Sequence, residues 1–285
     1  MRPTRIDLGQ RSETVRRSNL SAIIRGLHED GPQSRTELVE RTGLTRSSIR
    51  ALVGELTGAG LATEDRAAHL GRPGRPSPEV SLVPTAAIGV AFSIGVDSLS
   101  AAIVGLGGIV LGIARIDRPR RHQAPEAIVG DLVAMLDGMP GGRPDVESVV
   151  AVGVAVAGVV RRDGLVETAP NLGWVGVPLG TLVAAQLGWD DVPVIARNEA
   201  DLGVLAEHRR GAAVGVDDVL YLHGEVGVGG GLIMDGRPLS GAAGYAGEVG
   251  HFPVTQDGLP CPCGSSGCWE TEIGAGALLM RAGLP

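Results

Sequence analysis

Four residues with metal-binding side chains cluster near the end of the 285-residue sequence. His251 is followed by Cys261, Cys263 and Cys268, which are all the cysteines of the chain. Three thiolates and one imidazole make up the tetrahedral ligand set of structural zinc. We therefore predict a Zn²⁺ ion at these four residues. Because no coordination position stays open for hydrolysis, the ion is expected to be structural. Only one residue separates the first two thiols, whereas a separation of two to four residues is commoner in zinc sites. The alternative is therefore that the thiols are buried without a metal and the histidine lies at the surface.

The cysteine count also indicates a cellular compartment. An odd number of cysteines, and a first segment (MRPTRIDLGQ) without an apolar signal sequence, favour a reducing environment, and we predict a cytoplasmic protein. The apolar stretch Ala86–Ala114 is interrupted by Asp97 and its flanking serines. We therefore predict no membrane span.

Charge divides the sequence into a basic first part and an acidic remainder. Residues 1–80 contain 13 arginines and 10 acidic residues, a net charge of +3, whereas residues 81–285 contain 12 arginines and 22 acidic residues, a net charge of −10. Only the first part is therefore expected to contact a polyanion. The segment Gly71–Pro78 is so rich in glycine and proline that no helix or central strand can continue through it. The first domain is predicted to end at residue 80.

Three short helices are predicted in the basic part. Apolar residues recur at helical spacing over Val15–Leu27 and stop before a Gly-Pro pair. A capping-box sequence begins a second helix at Ser34, and this helix ends at Gly43. Thr45 is the predicted N-cap of a third helix, which Gly60 closes.

The second and third helices, joined by a turn containing glycine, predict a helix-turn-helix whose last helix fits the major groove of DNA. Arginine reaches guanine O6 and N7, and hydroxyl groups bind phosphates. The predicted DNA-contacting residues at the start of the third helix are Thr45, Arg46, Ser47, Ser48 and Arg50. The next segment predicts a wing, with Arg72 and Arg75 near the minor groove or the backbone. A helical dimerisation module with a proline-rich linker is the alternative.

The acidic remainder has the pattern of an α/β protein. The chain has 45 glycines and only 2% aromatic residues, so small aliphatic side chains must pack against closely spaced backbones. The predicted strands are Ala86–Ile94, Leu99–Val104, Ile109–Ile116, Val149–Val160, Val219–His223 and Val226–Met234, and the predicted helices are Pro125–Met139 and Asn198–Arg210. We predict two similar lobes, residues 81–196 and 197–285, with a ligand in the cleft between them.

Four motifs together closely resemble the ROK family of sugar kinases and transcriptional repressors. They are Gly244-Tyr-Ala-Gly-Glu248-Val-Gly-His251, Cys261-Pro-Cys-Gly-Ser-Ser-Gly-Cys268-Trp-Glu270, Asn198-Glu199-Ala200 and Ala169-Pro-Asn171-Leu-Gly-Trp174. The resemblance runs from about Val15 to the C-terminus, and the N-terminal helices are similar to those of the regulator branch. It implies a winged helix-turn-helix followed by a two-lobed, actin-like (ribonuclease H-like) sugar-binding body.

The resemblance also implies a sugar site in the cleft. The residues that would contact sugar hydroxyls are Asn171, Asn198, Glu199, Glu248, His251 and Glu270. Carboxylates and amides suit this role because they form paired hydrogen bonds with hydroxyl groups. His251 would serve twice, with one ring nitrogen on zinc and the other toward the sugar. The alternative is that Glu248 and Glu270 are solvated loop acids.

The resemblance to the kinases is weaker where phosphoryl transfer takes place. Family kinases carry Asp where Glu199 stands and a phosphate loop resembling Asp-x-Gly-Gly-Thr, whereas residues 89–95 read Gly-Val-Ala-Phe-Ser-Ile-Gly. Because this segment has no acid to manage Mg²⁺, we expect no enzymatic activity. The glycine cluster Gly227–Gly231 could hold a phosphate, but a glycine cluster alone is weak evidence for a phosphate site. Family members usually continue beyond Pro285, so an incomplete second lobe without the nucleotide segment is expected.

Together these features predict a sugar-responsive, DNA-binding transcriptional regulator, a repressor of carbohydrate-utilisation genes. The expected partners are double-stranded operator DNA, a small sugar or sugar-phosphate effector, and further copies of the chain in a homodimer or higher homo-oligomer. Two alternatives stay open, an ATP-dependent sugar kinase and a DNA-binding protein without a working sugar site.

Overall fold

A computed structural model describes residues 12–65, 77–117 and 123–284 of the chain. The chain forms two compact units. The first runs to Ala87 and includes the turn Gly105–Ile109, and the second comprises Ile88–Val104 and the chain from Val110 onward. The boundaries at residues 80 and 196, drawn from composition and from the strand and helix pattern, remain predictions.

The first unit contains three helices and a small antiparallel sheet. Its elements are α1 (Ser12–Asp30), β1 (Gln33–Ser34), α2 (Arg35–Thr42), α3 (Arg46–Gly58), β2 (Ala62–Asp65) and β3 (Glu79–Leu82). The strand order is β1-β3-β2, and both pairs are antiparallel. Buried aliphatic side chains from all three helices and from the sheet form one core, including Ile23, Leu38, Ile49, Leu56 and Val80.

The helix caps predicted in this unit are confirmed. Ser34 caps α2 through a complete capping box, because its hydroxyl accepts from Glu37 N at 3.2 Å and its own N–H donates to Glu37 Oε2 at 2.7 Å. Gly43 ends α2 with φ of 69°, a left-handed conformation that glycine adopts without strain. Thr45 caps α3 and accepts from Ser48 N at 3.2 Å. Local capping chemistry therefore fixes the turn between α2 and α3.

A five-stranded mixed sheet is the centre of the second unit. Its elements are β4 (Ile88–Ile94), β5 (Ser98–Gly105), β6 (Val110–Asp117), α4 (Pro125–Asp137), β7 (Val149–Val156), α5 (Leu179–Leu187) and β11 (Val194–Asn198). The strand order is β11-β7-β4-β5-β6. Strands β11 and β4 run parallel to β7, and β5 runs antiparallel to β6. Buried residues of α4 and α5, such as Leu132 and Val183, belong to the same core as the strands.

Two smaller sheets complete the second unit. One has the order β10-β9-β8 and consists of β8 (Val159–Val160), β9 (Val166–Ala169) and β10 (Trp174–Val177). The other has the order β12-β13-β14 and consists of β12 (Val219–Gly224), β13 (Val228–Met234) and β14 (Arg237–Pro238). The remaining helices are α6 (Glu199–Arg210), α7 (Trp269–Ile273) and α8 (Ala275–Arg281). Helix α6 packs on β12 and β13.

The single strand predicted over Val149–Val160 is wrong in one respect, because the structure divides it into β7 and β8. Gly158 lies at the break, with φ of 153°. A Cβ atom at this position would lie 2.7 Å from the carbonyl oxygen of Thr168, so only glycine allows this close approach. The chain therefore leaves the large sheet here and enters the sheet of β8, β9 and β10.

None of the helices in the described ranges is both long and apolar enough to cross a lipid bilayer.

Candidate functional site

A cleft of about 350 Å³ opens in the second unit. The segment after β7, the turn after β9, the junction of β11 and α6, the β12–β13 turn and the loop around the cysteines all line it. All six residues predicted to contact a sugar line this cleft: Asn171, Asn198, Glu199, Glu248, His251 and Glu270. The structure thus brings together residues that are up to 99 positions apart in sequence.

Asn198 and Glu199 are positioned by the start of α6. The side-chain oxygen of Asn198 accepts from Ala200 N at 2.7 Å, and its amide nitrogen donates to the Gly158 carbonyl at 2.8 Å. Asn198 therefore caps the helix and ties it to the segment after β7. Glu199 follows as the first helical residue, where the helix dipole favours a negative charge.

Asn171 enters the cleft from a separate element. It lies in the 3-10 helix Pro170–Leu172, which follows β9 and ends at Gly173 with φ of 73°. Its neighbour Leu172 is buried in the core of the large sheet, whereas Asn171 is exposed. The buried leucine anchors the turn and leaves the amide free to face a ligand.

Three further side chains come from the segment after β14, which carries Glu248 and His251, and from the first turn of α7, which carries Glu270. Nε2 of His251 lies 3.9 Å from Glu248 Oε2, and Nδ1 of the same ring lies 3.5 Å from Glu270 Oε1. Glu270 is the most enclosed of the three, with 17% of its side chain exposed. Both acids are thus held beside one imidazole at the edge of the cleft.

Burial controls the acidity of two cleft carboxyls. It raises the pKa of Glu199, an effect that nearby His223 opposes. It also raises the pKa of Glu248, where His251 opposes the shift and Glu270 reinforces it. Both groups lose hydration in the cleft, so hydrogen-bond donors from a ligand would stabilise their ionised forms.

The predicted metal ligands form one cluster next to the cleft. The donor atoms of His251, Cys261, Cys263 and Cys268 all lie within 4.8 Å of one another. Cys263 Sγ lies 3.7 Å from Cys268 Sγ, and His251 Nδ1 lies 3.5 Å from Cys261 Sγ. Two thiolates bound to one tetrahedral Zn²⁺ lie about 3.8 Å apart. The cysteines are free thiols, and this donor set fits the ion.

The acidity of the thiols agrees with such a fit. Burial raises the pKa of the Cys261 and Cys268 thiols, whereas a backbone hydrogen bond from Ser265 lowers the pKa of Cys263. Burial disfavours thiolates at these two sulfur atoms, and a divalent cation bound to them would stabilise the ionised form.

The predicted DNA-contacting residues lie in the first unit. Arg46, Ser47 and Arg50 are exposed in the first turns of α3, and Ser48 is half-buried. The hydroxyl of Thr45 lies 3.0 Å from Ser47 Oγ and 2.9 Å from Ser48 Oγ. The three hydroxyl groups thus cluster at the N-terminus of α3. Arg72 and Arg75 lie outside the described residues.

The sequence reasoning missed His223 and Glu225, which also line the cleft. His223 lies at the end of β12, and Glu225 lies in the turn that leads to β13. A His-Gly-Glu sequence at the end of a strand, directly before a glycine-rich segment, is the signal that could have identified them.

The fold and the cleft define a mixed α/β protein of the sugar-kinase-like class. The sequence profile of the ROK family matches residues 89–284. The chain therefore belongs to the ROK family, and the resemblance drawn from its motifs is confirmed.

Curated relatives include both regulators and kinases. The xylose repressor of Bacillus subtilis (strain 168) is 28% identical over 270 residues, which cover 93% of this chain and 68% of the repressor. The glucokinase of Streptomyces coelicolor is 34% identical over 193 residues, which cover 67% of this chain and 57% of the enzyme.

The solved structures that this chain resembles also include both a regulator and a kinase. A ROK family transcriptional regulator, a homologue of the E. coli MLC protein, is 26% identical with a TM-score of 0.67, and the match covers 95% of this chain and 69% of that one. A ROK glucokinase from Streptomyces griseus, in complex with glucose and AMPPNP, is 35% identical with a TM-score of 0.61. That match covers 68% of this chain and 60% of the glucokinase.

Proposed function

We propose that this chain is a sugar-responsive, DNA-binding repressor of carbohydrate-utilisation genes. The observation that carries the proposal is the extent of the matches. Those to the xylose repressor and to the MLC homologue cover 93% and 95% of the chain, whereas the glucokinase matches cover 67% and 68%. The regulator relatives therefore account for nearly the whole chain, including its basic first part.

The N-terminal helices support the DNA-binding part of the proposal. Helices α2 and α3 are joined by a short capped turn, and exposed Arg46 and Arg50 project from the N-terminal half of α3. The antiparallel pair of β2 and β3 on either side of the predicted wing supports the proposal that this unit is a winged helix-turn-helix. Helix α3 would enter the major groove, where arginine reads guanine.

DNA selected by the full chain from a random double-stranded library is the probe that tests this role. We expect Arg46→Ala and Arg50→Ala to weaken binding of the selected sequence at least tenfold, about 1.4 kcal/mol or more. Arg115→Ala, an exposed arginine of β6, is the matched control for loss of one positive charge. Retention of full affinity by both α3 variants would refute the proposed recognition helix.

The cleft supports the sugar-binding part. It gathers carboxylates from Glu199, Glu248 and Glu270 with the amides of Asn171 and Asn198, and this mixture of acceptors and donors suits a polyhydroxyl ligand. Zn²⁺ would be held by His251 and the three cysteines, where it supplies a rigid support for the imidazole and for the adjoining loop.

Calorimetry on zinc-loaded protein tests the sugar site. The panel comprises hexoses, pentoses including xylose, amino sugars and their phosphates. We expect one class to bind with one site per chain, and we expect Glu248→Gln to weaken it at least tenfold, because a hydroxyl donor loses its charged acceptor. Glu126→Gln, an exposed acid in the first turn of α4, is the matched control. Absence of all sugar binding by folded protein would favour a DNA-binding protein without a working sugar site.

Sugar binding would regulate DNA binding by favouring one arrangement of a homodimer, in which the spacing of two DNA-binding units changes. Moving the population from mostly bound to mostly released DNA requires several kcal/mol of differential affinity. Light scattering of the free, sugar-bound and DNA-bound protein tests the dimer, and a monomer under all three conditions contradicts it.

A sugar kinase is the second candidate function, and the glucokinase relatives favour it. Glu199 lies in the cleft where it could accept a proton from a sugar hydroxyl. A coupled assay that detects sugar-dependent ADP production, abolished in Glu199→Gln, would establish this activity. No ADP above background in zinc-loaded protein that binds sugar would exclude it for this chain.

A further inference from the structure

A second group of metal-binding side chains lies in the cleft, apart from the cysteines. It consists of Glu199 at the start of α6, His223 at the end of β12 and Glu225 in the turn before β13. All three side chains line the cleft, and their donor atoms lie within 4.8 Å of one another. Two secondary-structure elements from different parts of the chain thus converge on one point.

The spacing of these atoms is compatible with ligands around an ion and is too long for direct hydrogen bonds between the groups. His223 Nε2 lies 3.7 Å from Glu225 Oε2 and 4.0 Å from Glu199 Oε1. Hydrogen bonds between such groups are about 2.7–3.2 Å long. Ligand atoms that each lie about 2.1 Å from a shared divalent cation are about 3–4 Å apart.

The imidazole is already oriented for this role. The ring of Tyr221, two residues earlier on the same face of β12, stacks on the ring of His223 at a centroid distance of 6.4 Å and an interplanar angle of 11°. The neighbouring ring narrows the space in which the imidazole can rotate, and Nε2 is the ring nitrogen that lies near the two carboxylates. A preorganised ligand binds an ion at a smaller entropic cost.

The charge and the accessibility of these side chains also favour a bound cation. Two carboxylates on either side of one imidazole place two negative charges close together, and a divalent cation neutralises them. About a quarter to a half of each side chain is exposed, with values of 26%, 32% and 46% for Glu199, His223 and Glu225. An ion can therefore enter from solvent without opening the fold.

We propose that Glu199, His223 and Glu225 hold a divalent cation of the Mn²⁺ or Zn²⁺ class. Three protein ligands leave coordination positions open, in contrast to the closed ligand set of the cysteine cluster. Oxygen and nitrogen ligands suit Mn²⁺, whereas thiolates select zinc, so the two sites can be distinguished by the metal. A pair of neighbouring sugar hydroxyls would occupy the open positions, a step that rests on the proposed function.

Electron paramagnetic resonance of Mn²⁺ tests the cation site without any sugar, with Mn²⁺ titrated into full chain that carries one equivalent of Zn²⁺ so that zinc fills only the thiolate cluster. We expect one Mn²⁺ per chain, and a Kd raised at least about tenfold in both Glu225→Gln and His223→Ala. Glu126→Gln should bind Mn²⁺ like the unaltered chain. If His223→Ala unfolds by circular dichroism, His223→Gln replaces it. No stoichiometric Mn²⁺ binding, or equal Kd values for Glu225→Gln and Glu126→Gln, would overturn the proposal.

Calorimetry with and without Mn²⁺ tests the sugar step separately. We expect Mn²⁺ to strengthen binding of the sugar that the panel identifies, and we expect this gain to disappear in Glu225→Gln. Equal sugar affinity with and without bound Mn²⁺ contradicts the sugar step and leaves the repressor proposal standing. Absence of sugar binding under both conditions contradicts the sugar-responsive function, and the cation site is then decided by the Mn²⁺ titration alone.

Discussion

Nδ1 of His251 lies 3.5 Å from Sγ of Cys261. The opposite nitrogen of the same ring, Nε2, lies 3.9 Å from Glu248 Oε2 and faces the cleft. One imidazole thus belongs to the cysteine cluster and to the cleft at the same time. Whatever holds the first nitrogen also fixes the position of the second.

This shared residue predicts that metal loss disables the cleft. We expect Cys263→Ser to reduce zinc from about one ion per chain to nearly none and to lower the Tm by about 5–10 °C, because structural zinc contributes directly to folding energy. Sugar binding should weaken in parallel, since His251 loses its support. Metal analysis, a thermal scan and calorimetry measure the three effects. Ser266→Ala, an exposed change in the same loop, should leave all three unchanged.

Asn198 is predicted to matter for stability as well as for binding. Asn198→Ala removes the cap of α6 and the hydrogen bond to the Gly158 carbonyl, and we expect the free energy of unfolding to fall by about 1–2 kcal/mol. Asn171→Ala serves as the comparison, because this exposed amide should affect ligand binding alone. Urea denaturation separates the two variants, and equal stability losses would contradict the assigned roles.

Gly231 is predicted to set the distance between α6 and β13. A Cβ atom there would lie 2.4 Å from the carbonyl oxygen of Ala200 and 2.8 Å from Val204 Cγ1. We expect Gly231→Ala to destabilise the protein by about 1–3 kcal/mol and to weaken ligand binding, because α6 must move with Glu199. The control is Gly153→Ala in β7, where the added methyl group meets no atom within 4 Å. Similar melting temperatures for the two variants would contradict this packing.

The ion pair of Asp137 and Arg143 is predicted to give the second unit an acid-sensitive contribution. Arg143 donates to both carboxylate oxygens at 2.7 and 3.0 Å, and it lies over the Trp189 ring at 5.7 Å. The hydrogen bond from Arg143 lowers the pKa of Asp137. Because this pKa is lower in the folded protein, the stabilisation is present above the ordinary value of 3.8 and is lost as pH falls through the folded value.

We therefore expect Arg143→Ala to reduce the free energy of unfolding by about 1 kcal/mol at pH 7, a modest value because the pair is partly exposed. The difference from the unaltered chain should shrink as the pH is lowered below 4. Urea midpoints at pH 7 and at pH 3 measure it. Arg115→Ala breaks a single longer ion pair to Asp117 and should cost less. A constant difference at both pH values would show that the ion pair is not its source.

The sequence by itself determined the elements that depend on local chemistry. The capping box of Ser34 and Glu37, the left-handed Gly43 and the Thr45 cap are contacts between neighbours in the chain, so residue types alone predict where α2 and α3 begin and end. The candidate metal ligands are equally evident from the sequence, because three of the four lie within eight residues. The family motifs also predicted, residue by residue, the six side chains that line the cleft.

Only the tertiary structure decided which distant residues meet. Glu199 and His223 are 24 positions apart, and no local pattern relates them until α6 packs on β12. The break at Gly158 was hidden for the same reason, because it depends on a close approach to Thr168 in another strand. Periodicity records which face of an element is apolar, whereas the juxtaposition of two elements depends on how their buried faces fit together.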